Sequence, residues 1–158
     1  KIVADLQDFA RPLNPKPEKL NTVSSIREAL SMIMIPENIE VTLKTPEGLP
    51  YLTADPTMIK RILVNLTQNA VQAMPKGGQL TITANAKKRH IEISVEDTGE
   101  GIPIDVQPKL YTPLMTTKAK GQGFGLAVVK RMTEAMGGTV AFWSEEGMGT
   151  RFTLRFPV

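Results

Sequence analysis

Asp97-Thr98-Gly99-Glu100-Gly101 carries more structural information than any other segment of this chain, and Gly121-Gln122-Gly123-Phe124-Gly125 follows it twenty residues later. The first segment places an acidic residue in a glycine turn directly after the strand-like run 91–95. The second places three alternating glycines directly before the helical run 126–136. A carboxylate can accept a hydrogen bond from an exocyclic amine, and a glycine-rich helix start can cradle phosphates. Together the two segments indicate contacts to both ends of one nucleotide.

Each segment taken alone also fits a simpler structural role. Asp97 is typical of an Asx turn in a hairpin, and the glycines at 121, 123 and 125 are typical of a flexible hinge. The spacing of Gly99 and Gly101 favours close approach of the backbone to a ligand. The position of the second segment before a helix with free N–H groups favours phosphate.

Two upstream asparagines, Asn65 and Asn69, are spaced i, i+4 and so share one face of a predicted helix. Their amides either fill the helix surface or present oxygens to a divalent cation, and the spacing leaves both roles open. Mg²⁺ typically takes one or two protein oxygens and completes its shell with water and phosphate.

Two further polar segments have an ordinary explanation when they are considered alone. Thr116, Thr117 and Lys118 supply hydroxyls and a cation near the predicted phosphates, although alone they form only a basic loop. Gly147-Met148-Gly149-Thr150 fits a tight hairpin turn. Their significance therefore depends on the combination with the asparagines and the two glycine-rich segments.

The composition is that of one folded domain. The 158 residues are 41% hydrophobic and 22% charged, which is ordinary for a globular chain. The absence of cysteine excludes disulfides and thiol chemistry, and a single histidine disfavours a histidine-rich zinc site. A net charge of +3 with 5% aromatic residues does not predict nucleic-acid binding. No apolar run is long enough to predict membrane insertion.

The apolar spacing predicts the order of elements. Residues 1–11 are expected to be the end of a preceding helix, residues 12–19 a proline-rich linker, and residues 20–158 the compact domain, so we expect a fragment of a longer protein. Helices are predicted over 24–34 with Thr22 or Ser24 as N-cap, from Pro56 to about Met74 with Asp55 as N-cap, and over 124–136 before Gly137-Gly138. Strands are predicted over 39–43, 51–53, 80–84, 91–95, 139–143 and 150–156, and residues 99–122 are predicted as a long loop. This order predicts an α+β fold with helices on one face of a mainly antiparallel sheet.

In chain order the motifs are N-x-x-x-N-A, D-x-G-x-G-I, T-T-K-x-x-G-x-G-x-G-L and G-x-G-T. This combination resembles the catalytic, ATP-binding domain of sensor histidine kinases, in the superfamily that includes DNA gyrase, the MutL proteins and the heat-shock ATPase chaperones. The resemblance covers residues 20–158 and implies a two-layer, Bergerat-type sandwich with a mixed sheet and a long ATP lid. Residues 65–78 with Thr116-Thr117-Lys118 look most like the nitrogen-regulation type, and residues 1–11 look like the end of that family's dimerisation domain.

The resemblance implies ATP or ADP with Mg²⁺ as ligands. Asp97 would accept from the adenine amino group, Asn69 would ligate Mg²⁺, and Lys118 would meet a phosphate. Asn65, Asn69 and Lys118 are implied to serve phosphoryl transfer. The other implied nucleotide-binding residues are Gln72, Gly99, Gly101, Ile102, Thr116, Thr117, Gly121, Gln122, Gly123, Phe124, Gly125, Leu126 and Thr150, with Thr150 bonding Asp97 or a water. The family often has Phe where this chain has Tyr111 and Met115.

The resemblance also separates transfer from hydrolysis. Hydrolytic members of the superfamily have a glutamate four positions before the metal asparagine, and here that position is Asn65, whose amide cannot act as a general base. The implied nucleophile is a histidine on the separate dimerisation domain, since His90 lies in a strand-like run and is followed by Ile91. The chain alone is therefore not expected to phosphorylate itself.

Partners and alternatives follow from the same resemblance. The implied partners are the dimerisation domain and a response-regulator receiver domain. We expect this domain to be cytoplasmic, in a homodimeric full-length protein that is either soluble or membrane-anchored. The alternatives are a degenerate nucleotide-binding interaction module and a serine kinase or ATPase of the same superfamily. Asn65 in place of glutamate disfavours the last of these.

Overall fold

The computed structural model describes residues 12–112 and 125–158. The helices are α1 (Thr22–Ser31), α2 (Pro56–Gln72) and α3 (Gly125–Ala135), with a 3₁₀ turn at Gln107–Lys109. The strands are β1 (Glu18–Leu20), β2 (Ile39–Lys44), β3 (Leu52–Ala54), β4 (Gly78–Ala86), β5 (His90–Asp97), β6 (Thr139–Glu145) and β7 (Gly149–Pro157). The helix predicted in residues 1–11 and lid residues 113–124 lie outside the described residues.

Five strands form the main sheet in the order β2-β4-β5-β7-β6. The β2–β4 pair is parallel, and the other three pairs are antiparallel. This arrangement confirms the predicted α+β class with a mixed, mainly antiparallel sheet. The predicted hairpins β4–β5 and β6–β7 are also confirmed.

One face of the sheet is covered by the helices. Alternate strand residues are buried there, as the period of two along a half-buried strand requires: Leu80, Ile82, Ala84, Ile91, Ile93, Val95, Phe152, Leu154 and Phe156. Helix α2 packs on β5, α3 packs on β6, and α2 lies between α1 and α3. The other face is polar and includes the ion pairs Arg151–Glu96 at 3.8 Å and Arg155–Glu92 at 2.9 Å. The predicted two-layer sandwich is therefore present.

Side-chain caps fix where the first two helices begin. Asp55 Oδ1 accepts from the backbone N–H groups of Thr57 at 2.9 Å and Met58 at 3.1 Å, which confirms the predicted cap of α2. The predicted cap of α1 was wrong, because Asn21 Oδ1 accepts from Ser24 N at 2.9 Å. Thr22 is instead a helical residue that is only 2% exposed. Asparagine is as good an N-cap residue as serine. Asn21 is the first of several capping residues in residues 21–25, and it is the one that caps α1.

Residues 13–20 lie against the domain. Strand β1 pairs antiparallel with β3, and Leu13 packs on the core. Lys16 N donates to Asp55 Oδ2 at 2.8 Å, so one carboxylate joins this segment to the start of α2. The division between linker and domain near residue 20 stays a prediction about the organisation of the chain.

Several predicted boundaries need small corrections. Helix α1 ends at Ser31 rather than Met34, α2 ends at Gln72 rather than Met74, and β3 starts one residue later than predicted. Gly137 has a φ of 80° after α3, as its predicted role in ending the helix requires. Within the described ranges, no helix combines the length and apolar character that a bilayer crossing requires.

Candidate functional site

Asp97 ends β5 and is only 6% exposed. Gly99 N donates to its Oδ1 at 2.8 Å, so the Asx turn considered from the sequence is present. In register, Asp97 lies between Leu80 of β4 and Thr150 of β7. A buried carboxylate is therefore held at the strand end, where the chain leaves the sheet.

The glycine turn is packed against protein backbone on both sides. A Cβ on Gly99 would lie 2.2 Å from Ala73 O, at the end of α2, and Glu100 N donates to the same oxygen at 2.9 Å. Gly101 has a φ of 74°, and its Cβ would lie 2.2 Å from Glu145 O. The close approach predicted for these glycines is thus to the chain itself, and it fixes the turn between α2 and the β6–β7 hairpin.

Thr150 is 5% exposed and lies next to Asp97 in the sheet. Gly149 makes this pairing possible, because its φ is 139° and a Cβ would lie 2.1 Å from Asp97 O. Thr150 Oγ1 is 2.9 Å from Ser144 Oγ, its partner across the β6–β7 pair. Asp97, Thr150 and Ser144 therefore form one cross-strand row on the helix-covered face of the sheet.

Ser144 and Gln107 are site-supporting residues that sequence reasoning missed. Ile102 N donates to Ser144 Oγ at 2.7 Å, and Gln107 Nε2 donates to Ile102 O at 2.9 Å. Neither residue belongs to a glycine-rich motif. The one signal available was the hairpin register, which places Ser144 opposite Thr150.

The asparagines lie on α2 beside the start of α3. Asn65 Nδ2 donates to Gly125 O over a long 3.5 Å, and Asn69 is half-buried one turn further along. Among the described residues, nothing lies within 4 Å of a Cβ built on Gly125, the first residue of α3. Backbone N–H groups in the first turn of a helix lack intrahelical partners and attract anions.

The other predicted nucleotide-binding residues are distributed around these elements. Gln72 is in the last turn of α2, and its Oε1 is buried with no hydrogen-bond partner among the described residues. Ile102 and Leu126 pack against the edge of the core. The remaining predicted residues, Thr116, Thr117, Lys118, Gly121, Gln122, Gly123 and Phe124, lie outside the described residues.

The polar side chains of the site fit a cation that is coordinated partly by the protein and partly by phosphate. Within residues 12–112 and 125–158, no three His, Cys, Asp or Glu side chains form a metal-binding group. An amide oxygen from Asn69 together with phosphate oxygens and water suits Mg²⁺, which seldom uses an all-protein cage.

Tyr111 lies near the end of the described segment 12–112. Its ring meets Phe142 edge-on with a centroid distance of 6.2 Å, and Lys130 Nζ lies 5.1 Å from its centroid. Burial raises the pKa of the Tyr111 hydroxyl to about 12. Tyr111 thus fills an aromatic position beside α3, and its hydroxyl is buried without a partner among the described residues.

The single histidine is at the other end of the sheet strand. His90 begins β5, whereas Asp97 ends it. Its Nε2 is 4.0 Å from Glu92 Oε2 on the polar face of the sheet. This position separates His90 from the row formed by Asp97, Thr150 and Ser144.

Comparisons with known proteins agree with this geometry. The family described as histidine kinase-, DNA gyrase B- and HSP90-like ATPase matches residues 54–158. The sensor histidine kinase ZraS of Escherichia coli (strain K12) is 35% identical over 161 residues, which cover 100% of this chain and 35% of ZraS. The chain therefore spans about a third of the length of this relative.

Solved structures show the same fold. The nucleotide-free catalytic domain of histidine kinase ThkA has a TM-score of 0.80 at 30% identity, over 90% of this chain and 95% of that one. Full-length ShkA in complex with AMPPNP has a TM-score of 0.87 at 30% identity, over 99% of this chain and 35% of that one. ThkA in complex with the response regulator TrrA has a TM-score of 0.79 at 25% identity, over 99% and 46% of the two chains.

The family match and the shared fold define this domain as ATPase-like. The chain belongs to the histidine kinase-, DNA gyrase B- and HSP90-like ATPase family. Within that family it is close to the catalytic domains of sensor histidine kinases.

Proposed function

We propose that this chain binds Mg-ATP and transfers the γ-phosphoryl group to a histidine on a separate dimerisation domain, for onward transfer to a response-regulator aspartate. The observation that carries the proposal is the position of Asp97. It is a buried carboxylate at the start of a turn that is held between the end of α2 and the β6–β7 hairpin, in a chain of the histidine kinase-, DNA gyrase B- and HSP90-like ATPase family.

The chemistry of Asp97 selects adenine. An ionised carboxylate only accepts hydrogen bonds, so it suits the exocyclic amino group of adenine. Guanine presents a carbonyl oxygen at the corresponding position, which would leave two acceptors facing each other in a buried site. A ligand that leaves a buried polar group of the site unpaired is strongly rejected. We therefore expect ATP and ADP to bind in preference to GTP and GDP.

The phosphates would lie at the start of α3, next to Asn65 and Asn69. In this proposal Asn69 holds Mg²⁺, Asn65 is its polar neighbour, and Gly125 leaves space for a phosphate. The proposal assigns Lys118, Gly121 and Gly123, which lie outside the described residues, to the binding of these phosphates. Bound Mg²⁺ neutralises charge on the phosphates, and the protein contributes positioning.

Transfer is favoured over hydrolysis by what faces the phosphates. Asn65 is an amide and cannot activate water as a general base. His90 begins β5, at the opposite end of that strand from Asp97, and its Nε2 lies 4.0 Å from Glu92 Oε2. The nucleophile is therefore assigned to another domain, which distinguishes the proposal from an ATPase or a serine kinase.

The partners belong to the same proposal. The ThkA complex with the response regulator TrrA is a precedent for a receiver-domain partner. We extend the proposal to residues 1–11 as the end of a dimerisation helix, to a homodimeric full-length protein of the nitrogen-regulation type, and to the cytoplasm, where ATP is supplied.

The test is phosphoryl transfer in trans. The chain is incubated with γ-labelled ATP and Mg²⁺, with or without the dimerisation domain of its full-length protein. Acid-labile label is expected on the added domain and is lost when its acceptor histidine is changed to glutamine. Label on this chain at His90, or steady release of phosphate without transfer, would contradict the proposal. ATP binding without transfer would favour the degenerate interaction module.

A further inference from the structure

The Ser144 hydroxyl has three polar neighbours from two separate parts of the chain. It accepts from Ile102 N at 2.7 Å, donates to Gly149 O at 3.1 Å, and lies 2.9 Å from Thr150 Oγ1. We propose that Ser144 is a positioning residue of the nucleotide site, acting through Ile102 and Thr150. This inference rests on the proposed function, because the site it positions is the adenine end.

The hydrogen-bonding capacity of a hydroxyl defines how the three contacts can coexist. Serine has one proton to donate and two lone pairs to accept. Gly149 O can only accept, so it takes the Ser144 proton. The lone pairs then accept from Ile102 N–H and from the Thr150 hydroxyl. This assignment satisfies every group in the cluster, and it fixes the direction of the Thr150 proton towards Ser144.

Both segments held in this way adjoin Asp97: one follows it along the chain, and the other pairs with it across the sheet. Ile102 follows Gly101 at the end of the glycine turn, and Thr150 is the β7 residue paired with Asp97. Gln107 supports the same junction, since its Nε2 donates to Ile102 O at 2.9 Å and to Ser144 O at 3.5 Å. Ser144 thus supplies a side-chain link between the turn after Asp97 and the strand beside it, in addition to the backbone bond from Gly147 N to Glu100 O at 2.7 Å.

Replacement by alanine removes all three contacts at once. Ile102 N–H then loses its acceptor, and the Thr150 hydroxyl becomes free to turn towards Asp97. Because the hairpin β6–β7 is also held by backbone pairing, the fold survives while the geometry around Asp97 loosens. The expected effect is therefore on nucleotide affinity.

The test combines calorimetric titration of ADP with a double-mutant cycle. Ser144→Ala is expected to weaken ADP binding about fivefold to thirtyfold, the effect of one lost buried hydrogen bond or two. In a Thr150→Val background the same change is expected to have a smaller effect, because part of its action passes through Thr150. Ser94→Ala, a half-buried serine on the polar face of β5, is the matched control and leaves affinity unchanged.

Two readouts separate positioning from general destabilisation. Amide exchange at Ile102 without nucleotide is expected to quicken in Ser144→Ala, and Ser144→Thr, which restores a hydroxyl, is expected to recover affinity. Three results would overturn the inference. Ser144→Ala could bind ADP as the parent does, or Ser144→Thr could fail to recover affinity. The third is a double variant whose loss of ADP affinity equals the product of the fold-losses of Ser144→Ala and Thr150→Val. Failure of the parent chain to bind ADP would instead contradict the proposed function.

Discussion

Asp97 and Gly99 are joined by a hydrogen bond in which the Gly99 N–H donates to Asp97 Oδ1 at 2.8 Å. The carboxylate is therefore oriented by its own turn before any ligand arrives. Gly99 is in turn pressed against Ala73 O at the end of α2, the helix that carries Asn65 and Asn69. The predicted adenine end and the predicted metal end are thereby fixed to one another through a short stretch of backbone.

Asp97→Asn tests the adenine contact. The asparagine Oδ1 can still accept from Gly99 N, so the turn is expected to persist. ADP affinity is expected to fall by about 1–3 kcal/mol, because a charged acceptor is replaced by a group that also donates. Calorimetry measures the change, and Asp105→Asn in the exposed part of the following loop is the control. Equal affinities for the Asp97 variant and the parent would contradict the assignment.

Gly101→Ala and Gly48→Ala separate backbone strain from steric conflict. Both glycines have a left-handed φ, 74° and 77°, so alanine costs about 1–2 kcal/mol at either position. Only at Gly101 would the new Cβ lie 2.2 Å from a backbone oxygen, that of Glu145. We expect Gly101→Ala to lose about 1–3 kcal/mol more than Gly48→Ala in denaturant unfolding. Equal losses would show that the turn can move away from the hairpin.

Asp55 is expected to stabilise the fold in two ways. It caps α2, and it accepts from Lys16 N, a contact that we call the Lys16 tether because it holds residues 13–20 to the start of α2. Asp55→Asn keeps one oxygen for the cap of α2 but cannot accept at both sites, so the contact to Lys16 N is lost at about 1 kcal/mol or more. Asp55→Ala also loses the cap, at about another 1 kcal/mol. Urea unfolding measures both losses. Asn21→Asp, a cap-preserving exchange at α1, is the neutral control, and parent-like stability of Asp55→Asn would exclude a tether.

Tyr111→Phe removes a hydroxyl that is buried without a partner among the described residues. Its effect at neutral pH is expected to be within about 1 kcal/mol of zero or slightly stabilising. The folded pKa of about 12 lies above the ordinary value of 10.0, so the unfolded chain loses the Tyr111 proton first, and the stability of the parent falls as the pH rises from 10 towards 12. The stability of Tyr111→Phe relative to the parent should therefore increase above pH 10.

Tyr51→Phe is the matched control, because it removes the same hydroxyl from a side chain that is 63% exposed. Unfolding free energies are compared between pH 7 and 11 for the parent and both variants. A difference between Tyr111→Phe and the parent that does not change with pH would contradict burial of the Tyr111 hydroxyl.

Features with local causes could be predicted from the sequence. Asp55-Pro56 marked the start of α2, and the alternation in residues 80–84 and 91–95 marked a strand pair, because capping and side-chain period depend on neighbouring residues. The cap of α1 was misplaced for the same reason, since several good capping residues follow one another after Asn21. The combined motifs also indicated that Asp97 and the two asparagines belong to the motif set of a single protein family.

Features that depend on distant parts of the chain could not be predicted in this way. The parallel pairing of β2 with β4, the tether from Lys16 to Asp55 and the contact between Ile102 and Ser144 each join segments far apart in sequence. The spacing of the glycine turn predicted close approach to a ligand, whereas the close approach seen in the structure is to the backbone of Ala73 and Glu145. The spacing of glycines along the chain shows that a side chain would not fit there, but it does not identify the group that occupies the space.

Calorimetric titration with ADP and with GDP, each with and without Mg²⁺, tests the central claim most directly. We expect that ADP binds, that Mg²⁺ strengthens its binding, and that the Asp97 carboxylate excludes GDP. Equal binding of ADP and GDP, or no binding of ADP in the presence of Mg²⁺, would contradict a site built around Asp97.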